Sequence, residues 1–242
     1  MRPRRIVAAL ALAAALACGR DAAPDEVDAP AVREATRRFT PPTIVDRPIT
    51  FDEDRVALTL EYRRTHLGER RPTMEIEPRV IVLHYTDSAA AEETWRYFDR
   101  ARLTADRTEV AGGGALNVSA HFLVDRDGAI WRLMPETWFA RHCIGLNHVA
   151  IGIENAGSAA EPLTPAQVEA NAALVRYLAR RHAITHLIGH SEYRRMEGHP
   201  YFREADPGYR TEKVDPGDEF LAAVRARVDD LGLKGPPAAA PE

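Results

Sequence analysis

The sequence predicts an α/β fold, a single domain with a central mixed β-sheet flanked by helices. Three observations carry that expectation. Short apolar runs rich in β-branched residues alternate with stretches of helical periodicity. One pair of runs is joined by Asp127-Gly128, which adds an antiparallel hairpin to the alternation. A chain of 242 residues, 45% of them hydrophobic, is long enough to bury one sizeable core.

Taken in order, residues 79–84 (Arg-Val-Ile-Val-Leu-His) read as a strand buried on both faces, with His84 at its end. Residues 89–103 read as a helix entered through Asp87-Ser88, two side chains suited to capping. Residues 119–124 and 129–134 form the hairpin, because glycine supplies the positive φ that the Asp-Gly turn needs. A further strand covers 149–154. Thr164-Pro165-Ala166-Gln167 starts the next helix: Thr164 caps, Pro165 loses no needed donor at the first position, and Gln167 completes a capping box. Val168, Ala172, Val175 and Ala179 mark its buried stripe. Residues 186–189 make a short strand ending at His190, and a last helix over 217–231 turns Phe220, Leu221, Val224 and Val228 inward.

The two ends read differently. Arg2, Arg4 and Arg5 precede a twelve-residue apolar run, Ile6 to Ala17, that stops in small residues before Cys18. That is the layout of a signal peptide, and the run is shorter than the roughly 18 residues of a membrane-spanning helix. Ala15-Leu16-Ala17-Cys18 resembles a lipoprotein lipobox with its leucine one place late, so residues 1–18 are expected to be an export signal and Cys18 a lipidation site, anchoring the protein to the outer membrane on its periplasmic side. Residues 19–47, rich in Ala, Pro, Asp and Arg, are expected to be a flexible tether, 48–233 the folded domain, and 234–242 a disordered tail. The alternative to lipidation is ordinary cleavage nearby; with Cys18 lipidated, Cys143 is the one remaining thiol and no disulfide framework supports the fold, a Cys18–Cys143 bond being a further, minor reading. Without Arg2, Arg4 and Arg5, the 32 basic residues fall to 29 against 36 acidic ones, a net charge of −7, which gives no support for a nucleic-acid partner.

His84 and His190 both follow short apolar strands, and strand ends are where α/β sites collect. Asp215, in Lys213-Val214-Asp215-Pro216-Gly217, offers a carboxylate just before a helix. Two imidazoles and a carboxylate with one open position suit catalytic zinc. Each histidine taken singly is better explained by a structural hydrogen bond, so the residues alone lead to a suspected metal site and no further.

Five segments in order resemble the zinc-dependent N-acetylmuramoyl-L-alanine amidases, the family of the bacterial AmpD and AmiD enzymes, phage T7 lysozyme and the animal peptidoglycan recognition proteins. They are Val82-Leu83-His84-Tyr85-Thr86; the hairpin Val118-Ser119-Ala120-His121-Phe122-Leu123-Val124 with Asp127-Gly128; Ile151-Gly152-Ile153-Glu154; Ile188-Gly189-His190-Ser191; and Lys213-Val214-Asp215-Pro216-Gly217. The resemblance spans about residues 79–228. It implies the fold of that family, zinc ligation by His84, His190 and Asp215, Glu154 as general base, Lys213 facing the oxyanion, and peptidoglycan or muropeptide as substrate. His121 stands where some relatives carry a tyrosine near the active site, which implies substrate binding, against a structural role in the hairpin. Arg141-His142-Cys143-Ile144-Gly145 loosely resembles a Trp-His-Ala-Gly segment of the family and implies no firm role for His142.

The gap from His190 to Asp215 is longer than in close relatives and contains a competing carboxylate, Asp206. Within it Tyr193, Arg194, Arg195, Tyr201, Phe202 and Arg203 suggest either a groove wall whose arginines meet peptide carboxylates, or a loop packed on itself. A peptidoglycan-binding module without catalysis, and a zinc hydrolase of another amide, are the rival functions.

Overall fold

In the computed structural model, residues 39–238 are described. The expected signal peptide, Cys18 and the first part of the expected tether lie outside the described residues, as do residues 239–242. The folded unit begins at Pro41.

Ten regular elements build it: β1 (Ile44–Asp46), α1 (Glu53–Leu67), β2 (Val80–Leu83), α2 (Ala91–Phe98), β3 (Phe122–Val124), β4 (Ile130–Arg132), β5 (Ala150–Asn155), α3 (Pro165–Arg181), β6 (His186–Gly189) and α4 (Asp218–Arg227). Short 3-10 turns cover Thr108–Gly113 and His190–Met196. The six strands form one sheet in the order β1-β4-β3-β5-β2-β6. Among the described residues the β3–β4 hairpin is its antiparallel pair and the remaining pairs are parallel, so the sheet is mixed as expected.

β2 sits between β5 and β6 with all four residues buried. Its side chains alternate between two cores. Ile81 and Leu83 join Ile151, Ile153 and the α3–α4 side of the sheet. Val80 and Val82 join Tyr62 of α1, Leu146 and Met196 on the other side. α3 starts as the sequence predicts: the Thr164 hydroxyl accepts from the Gln167 N–H, the Gln167 amide accepts from the Thr164 N–H, and Pro165 follows the cap. The helix sinks Leu174, Val175 and Leu178 into the core, each worth about 1.5–3 kcal/mol of burial.

Three expectations need correction, and one helix, α1, had none. Residues 44–47 are not tether: β1 pairs in parallel with β4, Arg47 N–H donates to the Arg132 carbonyl, and Ile49 is buried. A three-residue edge strand has no period to read; its partner decides it. α1 carries no apolar stripe, because its inner face holds Arg55, Thr59, Arg63 and His66 beside Leu58 and Tyr62. Its ends follow local rules all the same, with Asp52 capping the Arg55 N–H and Gly68 closing in the left-handed conformation. α2 starts later and ends earlier than 89–103, since Asp87 takes a φ of 58° and Ser88 bridges to Gly157. The expected tail begins inside the fold: Leu187 N–H donates to the Lys234 carbonyl, which lies beside β6.

Candidate active site

The parallel register places Leu83 opposite Gly189. His84 and His190 are the next residues on each strand, so pairing alone brings two imidazoles 106 positions apart side by side. β5 lies on the other flank of β2 with Ile153 opposite Leu83, which puts Glu154 at the same edge. Asp215 arrives from the segment before α4, where its carbonyl accepts from the Ser191 N–H at 2.8 Å.

His84 Nδ1 lies 3.0 Å from His190 Nδ1 and 3.2 Å from Asp215 Oδ2, and His190 Nδ1 lies 3.1 Å from the same oxygen. All three residues are buried. Tetrahedral bonds of about 2.0–2.2 Å put ligand atoms roughly 3.3–3.5 Å apart, so this triangle matches a small tetrahedral cation within a few tenths of an ångström. The donor set, two imidazole nitrogens and one oxygen, does not suit calcium or magnesium, which take mostly oxygen. Burial and His190 push the His84 imidazole down to about 4, toward the neutral form that ligates metal. Burial raises the Asp215 carboxyl, but His190 and His84 outweigh it and hold the group well below the usual carboxylate range.

Beside this triangle a cavity of about 630 Å³ is lined by Glu154, Lys213, Arg107 and Arg141, among others. Glu154 is half-buried, and its Oε2 has neither solvent nor a hydrogen-bond partner among the described residues. Burial, reinforced by Asp215, pushes its carboxyl well above the ordinary value, while Lys213 and Arg107 pull the other way. A carboxyl raised in this way is a stronger proton acceptor than an ordinary carboxylate.

Asp206 is exposed and its carboxylate accepts from the Gly208 N–H, so it belongs to its own turn and not to the triangle. His121 is fully buried and does not line the cavity. Its Nε2 donates to the Trp138 carbonyl at 2.7 Å and its Nδ1 accepts from the Gly152 N–H at 3.0 Å, which corrects the expected substrate contact: both nitrogens serve the backbone.

The 191–214 segment divides. Tyr193 and Phe202 pack inward, the latter against Gly145. Arg194, Arg195 and Arg203 face the surface carboxylates Glu197, Glu192 and Glu69. The stretch that lines the cavity is Tyr209 and residues 211–214.

Sequence reasoning singled out the segment of two buried residues here, Arg141 and His142, without giving either a firm role. Arg141 donates to the Gly114 carbonyl at 3.1 Å, to those of Val110 and Leu116, and to the Tyr209 hydroxyl at 2.8 Å. His142 lies behind His84, with His84 Nε2 3.1 Å from His142 Nδ1. The Arg-His pair inside an apolar run was the available signal, since neither residue is buried without partners.

A family model described as N-acetylmuramoyl-L-alanine amidase matches residues 74–218. No curated protein matches the chain. Among solved structures, the amidase LysC from Clostridium intestinale URNW is similar at 22% identity over 80% of this chain and 99% of that one, with a TM-score of 0.48. Human PGRP-IBETAC, solved in complex with glycosamyl muramyl pentapeptide, is 17% identical over 76% and 95%, TM-score 0.47. A selenomethionine AmpD derivative is 26% identical over 62% and 84%, TM-score 0.41.

Proposed function

Because the chain belongs to the N-acetylmuramoyl-L-alanine amidase family, as the match over residues 74–218 shows, we propose that it hydrolyses the amide bond between N-acetylmuramic acid and L-alanine in peptidoglycan or muropeptides, with Zn²⁺ held by His84, His190 and Asp215. The observation that carries this reading is the convergence of three buried ligand atoms beside the half-buried Glu154 carboxyl at one sheet edge.

Zinc, when bound, makes water more acidic and polarises the scissile carbonyl. The protein's own groups do the rest. Glu154 takes the proton of the attacking water and returns it to the departing alanine nitrogen; its raised pKa suits both halves of that exchange. Lys213 lines the cavity and sets a positive charge where the carbonyl oxygen gains negative charge. Asp215 balances the cation with one negative charge. Export by residues 1–18, lipidation at Cys18 and action on cell-wall material in turnover or recycling complete the proposal, supported by the basic, then apolar, then small-residue order of the N-terminus.

The test is mass spectrometry of material released from purified peptidoglycan by the zinc-loaded protein. Stem peptides beginning with free L-alanine, lost in Glu154→Ala and His190→Ala, support the amidase. A zinc-loaded wild type that binds peptidoglycan and releases nothing leaves a binding module in its place.

A further inference from the structure

We propose that His142 is a positioning residue that fixes His84 in the tautomer whose Nδ1 faces the metal, a role that rests on the zinc reading above. Four groups lie in line. His142 Nε2 is 3.3 Å from the Ala150 carbonyl, His142 Nδ1 is 3.1 Å from His84 Nε2, and His84 Nδ1 faces His190 and Asp215. A carbonyl can only accept, so His142 carries its proton on Nε2. Its Nδ1 is then bare and must accept, which puts the His84 proton on Nε2. The remaining nitrogen of His84 is then a lone pair facing His190 and the ionised Asp215, an arrangement that a metal cation between them completes and a second acceptor alone does not. The Ala150 carbonyl at the head of this relay has no alternative state.

The surroundings hold His142 in place from two further directions. Its backbone N–H and that of Cys143 both donate to Asn147 Oδ1, at 2.8 and 2.7 Å, and Asn147 Nδ2 reaches the Tyr62 hydroxyl. Gly152 lies flat against the ring: a Cβ there would come within 2.7 Å of His142 Cγ. The ring thus has one seat and one orientation. His142 also lines the cavity, yet it is nine-tenths buried and its two nitrogens are spoken for, so it acts through His84. Partners behind metal-bound histidines typically change metal affinity by 10- to 100-fold when removed.

The test uses the purified full chain, stripped of metal, as wild type, His142→Leu, His142→Asn and His190→Ala. Zinc affinity is read by competition with a chromophoric chelator, and the His142 tautomer by imidazole ¹⁵N NMR of the zinc-loaded protein. His142→Leu is expected to bind zinc about 10- to 100-fold more weakly. His142→Asn puts an amide oxygen where Nδ1 stood and is expected to recover most of that loss. Wild-type affinity in His142→Leu overturns the role, as does an asparagine variant no better than leucine. Should the leucine variant not fold, a zinc-loaded wild type whose His142 carries its proton on Nδ1 overturns it equally. Unchanged zinc binding in His190→Ala overturns the metal reading itself; loss there with none in His142→Leu overturns only the role of His142.

Discussion

The guanidinium of Arg141 donates to the hydroxyl of Tyr209 at 2.8 Å, and the same group also holds three carbonyls of the 110–116 stretch. One buried cation thereby joins two walls of the cavity, the inserted segment on one side and the 3-10 turn on the other. Removing it orphans several buried acceptors at once, whereas removing the Tyr209 hydroxyl ends a single bond. Arg141→Leu should cost about 3–4 kcal/mol and Tyr209→Phe about 1 kcal/mol in urea unfolding. Equal losses in the two variants contradict the clamp.

Gly152 has an ordinary φ, and its need is for space, because the imidazole of His142 occupies the place of its side chain. Gly152→Ala is expected to destabilise the fold by about 1–3 kcal/mol through overpacking and to weaken zinc binding as the ring moves. Gly68→Ala, at a φ of 66° with open space around it, should lose about 1 kcal/mol and leave zinc affinity unchanged. Parallel thermal melts and zinc titrations of the two variants measure the contrast.

Glu154→Gln keeps the shape of the side chain and removes its charge. Hydrolysis should fall by about 10²- to 10⁴-fold while zinc affinity holds, and the fold should become no less stable, since a dry carboxylate oxygen without a partner is costly to bury. Single-turnover rates beside a denaturation curve read both effects. A destabilised variant with full activity contradicts the role.

Burial pushes the His121 imidazole down to about 4, and both its nitrogens are engaged as a neutral ring. A depressed folded-state pKa means that the unfolded chain binds the proton first. The contribution is therefore whole above about pH 6.5 and lost as pH falls toward 4, on the order of 3 kcal/mol across that range. His121→Gln should flatten this part of the stability profile, measured by urea unfolding between about pH 7 and pH 4.5.

Zinc that binds only the folded chain should raise unfolding stability by about 2.7 kcal/mol at one hundred times its dissociation constant. A chelator should abolish the shift, and His190→Ala should show none. Melting curves with and without zinc decide it.

Much of the fold is written locally. The capping box at Thr164, the hairpin glycine at Gly128, with a φ of 89°, and the all-apolar β2 each depend on a few neighbouring residues, and each is found where the sequence puts it. The position of His84 and His190 just after short strands was also legible, because the strand and its end are one local pattern. What only the tertiary structure decided is which of these pieces meet. Parallel pairing of β2 with β6 and β5 brings His84, His190 and Glu154 to one edge, and register across a sheet is a property of partners, not of any single segment. The same reason hid β1, which exists by pairing with β4, and α1, whose inner face is polar because Arg55 and Arg63 find carbonyls and a carboxylate contributed by other segments. It also separated three histidines of like appearance: His84 turned toward Asp215, His121 closed by backbone, and His142 set behind the first. Burial makes an imidazole choose its partners, and those partners lie far away along the chain.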